Sequence, residues 1–323
     1  MGMLATIALA AAIQSGIPSL TVQANVEAPG PAGPLQGTLL SPGNQGGQVV
    51  LIVPGSGPTD RNGNGPNGLR ASTYRLLADG LLSHGVASVR IDKRGMYGSA
   101  SAIPDADDVT LDDYAADVHS WVTTIRMRTG VSCVWVLGHS EGGLVALVAA
   151  QHTADICGLI LLSTAGRPLG KVLREQLRSN PANAPILENA MSVLDTLEAG
   201  QTVDASKIDP SLMPLFRPRV QRFLMSELAV EPTTLLAGYR KPVLIVQGLQ
   251  DLQVGPGDAQ LLKHADPRAE LVLIASANHV LKAVRAQDRT DNVAAYSDPN
   301  RPLADHVVEV ISAFVQNSAA AHR

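Results

Sequence analysis

A single serine stands in a short motif whose spacing suits nucleophilic catalysis. Residues 138–142 read Gly-His-Ser-Glu-Gly and fit the pattern G-x-S-x-G around Ser140. An apolar run at 134–137 precedes this motif, and a helix-like stretch at 144–150 follows it. A strand, a sharp turn and a helix in that order expose the serine at the apex, and the glycines let the strand and the helix approach closely. We therefore predict that Ser140 is a nucleophile held in a strained backbone conformation.

A serine hydroxyl needs a general base, and the base needs an acid that orients it. In enzymes with this turn, the order along the chain is serine, then aspartate or glutamate, then histidine. His279 follows an apolar run at 271–274, and Asp251 follows the apolar run before it, at 243–246. If both runs are parallel strands, both side chains project from the sheet edge that carries the serine. We predict His279 as the base and Asp251 as its orienting acid.

Other residues of the same types have simpler explanations. Asp258 is the rival acid, but it falls in the first turn of a predicted helix, where carboxylates are expected without catalysis. A turn-forming role alone would also explain Asp251. His264 ends that predicted helix, and His306 lies on the predicted last helix, as a surface or packing residue. His139 points away from its neighbour at a sharp turn, so we expect it to be packed or hydrogen-bonded beside the site.

Acyl transfer to a serine creates an oxyanion that needs two preorganised N–H donors. The backbone N–H of Glu141, the residue after the nucleophile, is one predicted donor, and its carboxylate has no role in that mechanism. The second should come from the glycine-rich loop at 54–58, which follows an apolar run. We predict the N–H of Ser56, because glycine on either side exposes that amide. A plain tight turn without a catalytic role is the alternative.

Alternating strands and helices must position these residues, and their order indicates a mostly parallel sheet with helices on both faces. The predicted strands cover 20–28, 35–40, 49–53, 86–91, 134–137, 156–162, 243–246 and 271–274, the first two as an antiparallel hairpin. The predicted helices cover 72–83, 111–129 with Thr110 as N-cap, 144–152, 257–264 and 303–315. Residues 281–301 are predicted to be a long loop.

The alternation breaks between residues 165 and 240, where helical patches are interrupted by prolines. We predict that 165–240 is an inserted helical cap, and that 16–164 and 241–323 form an α/β core. Residues 1–15 stand apart from this fold. They contain a short alanine-rich apolar stretch without a preceding Lys or Arg, so a remnant of a secretory signal is one interpretation and a tag is the other. The compartment stays open between cytoplasmic and periplasmic or secreted.

The composition excludes several other classes of protein. The chain has 323 residues, of which 45% are hydrophobic and 17% charged, with a net charge of −4 and no long basic run. That balance gives no electrostatic footprint for a nucleic acid partner. The apolar stretch at 4–13 is too short to span a bilayer, so stable membrane insertion is not expected. No cofactor or metal is expected, because the spacings C-x-x-C and H-x-x-x-H do not occur. The oligomeric state is left open.

The two cysteines, Cys133 and Cys157, lie in apolar runs that we assign to neighbouring strands. Buried free thiols are the expected state, with a disulfide as the less favoured alternative.

Two loops carry a resemblance to a known family. Residues 92–99 resemble the D-x-R-G-x-G-x-S loop of the α/β-hydrolase superfamily, with one additional residue before the second glycine. Residues 54–64 are similar to the GSGPTDRDGN signature of a bacterial branch of carboxylesterases, often labelled alongside serine aminopeptidase-like hydrolases. Asn62 stands where that branch often has aspartate. The resemblance implies an α/β-hydrolase fold with a helical cap and an esterase activity.

The resemblance also implies roles for particular residues. It assigns Ser140, Asp251 and His279 to a catalytic triad, and Ser56 and Glu141 to the oxyanion hole. Asp60 and Arg61 are expected to brace their loop.

Three functions are compatible with these residues. The leading hypothesis is a serine carboxylesterase that hydrolyses short- to medium-chain esters, with a small-molecule ester as its partner. The second is an amidase or aminopeptidase with the same triad, which needs a carboxylate to hold a substrate amine. The predicted cap supplies Glu175, Glu188, Glu198 and Glu227 as candidates. The third is a non-catalytic binding module on a hydrolase fold, against which the complete set of Ser, Asp and His argues.

Overall fold

Eight strands form one sheet in the order β1-β2-β4-β3-β5-β6-β7-β8. The computed structural model describes residues 21–43, 47–152 and 154–320. The strands are β1 (Val22–Ala28), β2 (Leu35–Ser41), β3 (Val49–Val53), β4 (Ala87–Ile91), β5 (Val134–His139), β6 (Ile156–Leu162), β7 (Val243–Gly248) and β8 (Glu270–Ile274). β1 and β2 form the predicted antiparallel hairpin, and β2 also pairs antiparallel with β4. All pairs from β4 to β8 are parallel. The predicted, mostly parallel sheet is confirmed.

Helices cover both faces of this sheet. They are α1 (Thr73–Ser83), α2 (Leu111–Thr129), α3 (Glu141–Ala149), α4 (Leu169–Ser179), α5 (Leu187–Glu198), α6 (Met213–Phe216), α7 (Pro218–Leu228), α8 (Pro232–Gly238), α9 (Pro256–Ala265), α10 (Arg289–Ala294) and α11 (Val307–Ala320). β3 shows why both faces need cover, because Val49, Leu51 and Val53 pack into one apolar cluster while Val50 and Ile52 pack into another. A strand with alternate residues in two cores reads as a continuous apolar run.

Local signals explain where two of the helices begin. The Thr110 hydroxyl accepts a hydrogen bond from the Asp113 N–H, and the Asp113 carboxylate accepts one from the Thr110 N–H, so the predicted N-cap of α2 is a capping box. α11 begins at Val307, four residues later than predicted. His306 has a φ of 73° and Leu303 forms a β-bridge with Lys282, so neither residue is helical. His306 therefore precedes the last helix, and the prediction that it lies on that helix is wrong.

The region between β6 and β7 has an apolar centre of its own. Helices α4 to α8 lie in this segment, and a separate cluster of buried side chains packs between α4, α5, α6 and α7. Leu236 of α8 belongs instead to the apolar cluster on one face of the sheet. Its members are Ala190, Val193, Leu194, Leu197, Val203, Ile208, Leu212, Phe216 and Leu224. That residues 165–240 form a cap over the site, inserted into a core at 16–164 and 241–323, stays a prediction.

The two cysteines are joined, so the prediction of free thiols is wrong. Cys133 and Cys157 form a disulfide with a Cα–Cα distance of 5.1 Å. β5 and β6 are neighbours, and Val134 pairs with Ile156 in their register. The register brings the residues beside this pair to the separation that a disulfide requires.

The segment at 281–301 is not the continuous loop that we predicted. It contains α10 and a 3₁₀ turn at Ala295–Ser297. The Asp288 carboxylate accepts a hydrogen bond from the Asp291 N–H and begins α10 as its N-cap. A helix of six residues is too short to show an apolar period.

Residues 1–20, which include the separate segment at 1–15, lie outside the described residues. Within the ranges described, no helix is long and apolar enough to cross a membrane.

Candidate active site

Ser140 lies at the turn between β5 and α3, at the carboxyl edge of the sheet. Its φ of 56° and ψ of −120° fall outside the regions that serine ordinarily adopts, which confirms the predicted strain. The flanking glycines have a steric reason. A Cβ on Gly138 would lie 2.1 Å from the Gly142 carbonyl oxygen, and one on Gly142 would lie 2.4 Å from the Val53 oxygen. Gly143 has no more room, since its Cβ would meet the Thr164 hydroxyl at 2.0 Å.

His279 and Asp251 are in direct contact. Asp251 follows β7 and His279 follows β8, and the His279 Nδ1 lies 2.8 Å from the Asp251 Oδ2. The other carboxylate oxygen, Oδ1, accepts the backbone N–H groups of Gln253 and Val254 at 2.8 and 2.9 Å. Gln247 adds a hydrogen bond from its amide to Oδ2 at 3.2 Å. The Asp251 side chain is fully buried, so these four contacts hold the carboxylate in one orientation.

The same contacts set the charge of Asp251. Burial alone would raise the pKa of this carboxyl, because a charge is costly in a poorly solvated site. The positive charge that His279 can carry and the hydrogen bonds to the carboxylate oppose burial, and the net effect lowers the pKa of Asp251. Asp251 is therefore ionised at neutral pH. An ionised partner at Nδ1 fixes the tautomer of His279 and leaves its Nε2 as the proton acceptor.

Ser140 and His279 line the same cavity, which has a volume of about 410 Å³. A second cavity of about 160 Å³ also borders Ser140 and is lined by Ser56, Glu141 and Glu227 among others. Among the described residues, the Ser140 hydroxyl makes no hydrogen bond, either with the His279 imidazole or with another group. In hydrolases such contacts commonly tighten when substrate binds.

Two residues that border these cavities have a backbone N–H group without an acceptor among the described residues. Ser56 lines both cavities together with Ser140, and its N–H has no hydrogen-bond partner among the residues that the structure describes. Glu141 is the first residue of α3, and the N–H of a first helical residue has no acceptor within its helix. The loop that carries Ser56 lies against the serine turn, because a Cβ on Gly55 would be 3.3 Å from the Ser140 Cβ.

A hydrogen-bonded chain runs through His139 and links this loop to His279. His139 Nε2 lies 2.7 Å from the His279 carbonyl oxygen, so Nε2 carries the proton and donates it. Nδ1 then accepts the hydroxyl of Tyr74 at 2.9 Å, and this hydroxyl accepts the Gly55 N–H at 2.9 Å. Burial, followed by the charge of His279, lowers the pKa of His139 to about 4. His139 is thus a neutral hydrogen-bonded neighbour of the site, as predicted.

Three ionisable side chains are buried beside the smaller cavity. Lys93 donates to the Gly55 carbonyl oxygen at 2.8 Å, and its Nζ lies 3.4 Å from the Glu141 Oε1. Glu227, on α7, borders the cavity and is 5% exposed. Burial and the charge of Glu141 raise the pKa of Glu227 well above the ordinary value for glutamate, although Lys93 opposes them.

The rival residues have other partners. Asp258 forms a two-pronged ion pair with Arg167 at 2.9 and 2.8 Å and also accepts the Gly166 N–H. Two acids of the predicted cap also have arginine partners, since Glu175 pairs with Arg167 and Glu198 pairs with Arg174.

Asp60 and Arg61 brace their loop as expected. The Asp60 carboxylate accepts the N–H groups of Asn62 and Asn64 at 2.8 Å, and Arg61 forms an ion pair with Asp92. In the described ranges, no group of three or more His, Cys, Asp or Glu side chains could hold a metal ion.

Comparison with known families identifies the chain. The family model described as Hydrolase_4 (Serine aminopeptidase, S33) matches residues 68–282, about two thirds of the sequence. The chain belongs to this family. It is an α/β hydrolase, and the fold that the two loops implied is confirmed.

Individual relatives of this α/β hydrolase are distant. Esterase EstD of Thermotoga maritima is 27% identical over 241 residues, which are 72% of this chain and 54% of EstD. The chain therefore spans about half the length of EstD. Lipase 3 of a Moraxella species is 22% identical over 270 residues, which are 79% of each protein.

Solved structures agree with this family at the level of the fold. The structure of Est1E from Butyrivibrio proteoclasticus superposes with a TM-score of 0.55 and 20% identity, covering 92% of this chain and 98% of Est1E. An esterase of Pyrococcus furiosus superposes with a TM-score of 0.59 and 17% identity, covering 93% of this chain and 91% of that one.

Two residues of this hydrolase that contact the site were missed in the sequence. Tyr74 lies on the buried, apolar face of α1, and an apolar pattern describes its ring and not its hydroxyl. Lys93 is the second residue after β4, in the loop that resembles the family motif. A lysine between an aspartate and an arginine is typical of a solvated charge. The signal that could have found it is its place at the end of a buried parallel strand, where side chains face the site.

Proposed function

We propose that this α/β hydrolase is a serine carboxylesterase that acts on short- to medium-chain esters. One observation carries the proposal. The strained Ser140 borders two adjoining cavities together with Ser56, while His279 lines the larger cavity and Glu141 the smaller one, and the backbone N–H groups of Ser56 and Glu141 have no acceptor among the described residues. These are the nucleophile, the base and the oxyanion donors that ester cleavage requires, and Asp251 orients the base through its contact with His279 Nδ1.

The proposed reaction proceeds through an acyl-enzyme. The Ser140 oxygen attacks the ester carbonyl carbon while His279 Nε2 takes the hydroxyl proton, and the N–H groups of Ser56 and Glu141 bind the resulting oxyanion. When the oxyanion collapses, the bond to the alcohol breaks, and His279 returns its proton to the alcohol. A water molecule then gives a proton to His279 and attacks the acyl carbon. The second collapse releases the carboxylic acid and returns the proton to Ser140.

The relatives support the choice of an ester over an amide. EstD is named an esterase and Lipase 3 a lipase, and both are enzymes that cleave carboxylic esters. We propose that the smaller cavity takes the acyl chain, because Leu144, Val172 and Leu173 give it an apolar lining. A volume of about 160 Å³ is well below that of drug-sized ligand pockets, which favours short acyl groups over long ones.

The test is a series of p-nitrophenyl esters with the purified protein. We expect kcat/KM to be higher for acetate and butyrate than for decanoate. Ser140→Ala should abolish hydrolysis, with unchanged far-ultraviolet circular dichroism, and a fluorophosphonate should label the wild-type protein at Ser140 only. Failure of both hydrolysis and labelling would favour the non-catalytic binding module.

An aminopeptidase with the same triad is the second candidate, and Glu227 is the observation that favours it. Of the four candidate acids, Glu227 borders the smaller cavity beside Ser140. However, burial and the charge of Glu141 raise the pKa of Glu227, so keeping this side chain as a carboxylate for a substrate ammonium group costs free energy. This cost favours the esterase. Turnover of aminoacyl anilides well above that of the esters would reverse the order of the two candidates.

A further inference from the structure

Lys93 contacts both segments that carry the proposed oxyanion donors. Its ammonium group donates to the Gly55 carbonyl oxygen at 2.8 Å, one residue before Ser56. The same nitrogen lies 3.4 Å from the carboxylate of Glu141, whose backbone carries the second donor. Lys93 is 5% exposed, so these contacts form in a site that solvent barely reaches.

Because a peptide unit is planar, the hydrogen bond from Lys93 to the Gly55 carbonyl oxygen also sets the direction of the Ser56 N–H. The Gly55 carbonyl and the Ser56 N–H belong to one peptide unit, which is planar and trans, so the two groups point in opposite directions. An ammonium group that holds the carbonyl on one side therefore directs the N–H to the other side. On that other side, the Ser56 N–H has no acceptor among the described residues, and Ser56 borders the two cavities with Ser140.

Few other contacts determine the orientation of this peptide unit. Glycine at 55 has no Cβ to restrict the backbone before the peptide, and Gly57, with a φ of 69°, follows it closely. Tyr74 accepts the Gly55 N–H, but that N–H belongs to the preceding peptide unit. Rotation of the Gly55–Ser56 peptide would turn the carbonyl oxygen toward the cavities and remove the donor.

We propose that Lys93 is a positioning residue that holds the Gly55–Ser56 peptide with its N–H directed at the oxyanion. The inference rests on the proposed function, because it assigns Lys93 a part in the same reaction. Lys93 does not touch the reacting atoms. The Glu141 carboxylate and the Tyr114 ring, whose centroid is 5.4 Å from the Lys93 Nζ, hold the ammonium group in place.

The test compares Lys93→Met with a matched control, Lys241→Met. Methionine keeps most of the length of the side chain and cannot donate to the carbonyl. Lys241 also donates to backbone carbonyls, those of Ala154 and Ile156, but it lies at the amino end of β6, away from Ser140. We expect Lys93→Met to lower kcat for p-nitrophenyl butyrate by roughly 30- to 300-fold with KM changed less than threefold, since one oxyanion donor is lost. Lys241→Met should keep wild-type kcat.

Two further measurements separate positioning from a general loss of structure. A trifluoromethyl ketone, which forms an oxyanion on Ser140, should bind to Lys93→Met more weakly by about the same factor as the fall in kcat/KM. An uncharged alcohol such as n-butanol presents no negative oxygen to these donors and should bind as it does to the wild type. A crystal structure of Lys93→Met should show the Gly55–Ser56 peptide rotated or in two orientations.

The outcomes also distinguish this proposal from the proposed function. If the peptide keeps its orientation in Lys93→Met, or if it rotates without a loss of kcat, the assignment of Lys93 is wrong. If wild-type protein hydrolyses no ester and resists the fluorophosphonate, the proposed function fails, and the crystal structure of the variant still decides whether Lys93 orients the peptide.

Discussion

Asp251 follows a strand and Asp258 lies in the first turn of a helix, and the two carboxylates have different partners. Asp251 reaches the imidazole of His279, whereas Asp258 pairs with Arg167. We predict that Asp251→Asn lowers kcat for p-nitrophenyl butyrate by roughly 10⁴-fold, because the amide favours the wrong tautomer of His279.

Asp258→Asn is the matched control for that variant. It should keep kcat within a few-fold of wild type while it lowers the free energy of unfolding by about 1.5–3 kcal/mol through the weakened contacts to Arg167. Equal losses of kcat in the two variants would contradict the assignment of the acid to Asp251.

His139 should make the folded state sensitive to acid. The unfolded imidazole binds a proton below about pH 6.5, and the folded one only below about 4. Between these values the unfolded state binds more protons, so stability rises with pH and is lost as pH falls from 6.5 to 4. We predict a loss of about 3 kcal/mol from this group, measured by urea unfolding at several pH values.

His139→Gln is the variant that isolates this effect. It should be less stable than wild type at pH 7, because contacts to Tyr74 and the His279 carbonyl change, and its stability should depend less on pH between 4 and 6.5. An unchanged dependence would assign the acid sensitivity to other groups.

At the scale of single residues, the sequence predicted the positions of side chains that follow a recognisable strand or lie in a motif. Ser140, Asp251 and His279 each follow a strand that an apolar run reveals, so their meeting at one edge could be expected. The contacts of Tyr74 and Lys93 could not, because they depend on which way a hydroxyl or an ammonium group points inside a packed site. The apolar periodicity of a sequence does not specify the direction of such a polar group.

At the scale of elements, the disulfide between the start of β5 and the start of β6 closes a segment of 24 residues. We predict that the double variant Cys133→Ser/Cys157→Ser loses about 3 kcal/mol of unfolding free energy, since the unfolded chain gains freedom. Its kcat should match wild type, because Ser140 lies at the opposite end of β5. Urea unfolding of wild type with and without dithiothreitol checks the result, and equal stability under both conditions would contradict it.

The elements also show where prediction from sequence ends. The strands and the helices of the core have apolar patterns long enough to recognise, and β3 is an example. The six residues of α10 are too few for such a pattern, and only the N-cap Asp288 marks its start. The cysteine pairing depends on the register of β5 against β6, which the two separate sequences do not specify.

At the scale of the whole molecule, one helix of the predicted cap is tied to the core by charge. Three arginines, two in α7 and one just before it, form ion pairs with three aspartates in the loop before α2. The pairs are Arg217 with Asp107, Arg219 with Asp105 and Arg222 with Asp108. The same helix carries Glu227 on the wall of the smaller cavity. Because these pairs are largely exposed, salt should weaken them.

We predict that KM of the wild type for p-nitrophenyl butyrate rises roughly threefold between 0.05 and 1 M NaCl, with kcat nearly constant. The triple variant Asp105→Asn/Asp107→Asn/Asp108→Asn should show the high KM at all salt concentrations. Asp195→Asn, which breaks a pair between α4 and α5 only, should respond to salt like wild type. A salt response that survives in the triple variant would rule out these pairs as its source.

The backbone of Ser140 has a consequence for the stability of the molecule. Glycine adopts a φ of 56° far more readily than serine, so Ser140→Gly should unfold at higher urea concentration than wild type, by about 1 kcal/mol, while hydrolysing nothing. Equal or lower resistance to urea would show that the turn stores no such energy. If the expected result holds, selection for stability alone would favour glycine at position 140 and an inactive protein. Serine would then be retained there only by selection for activity.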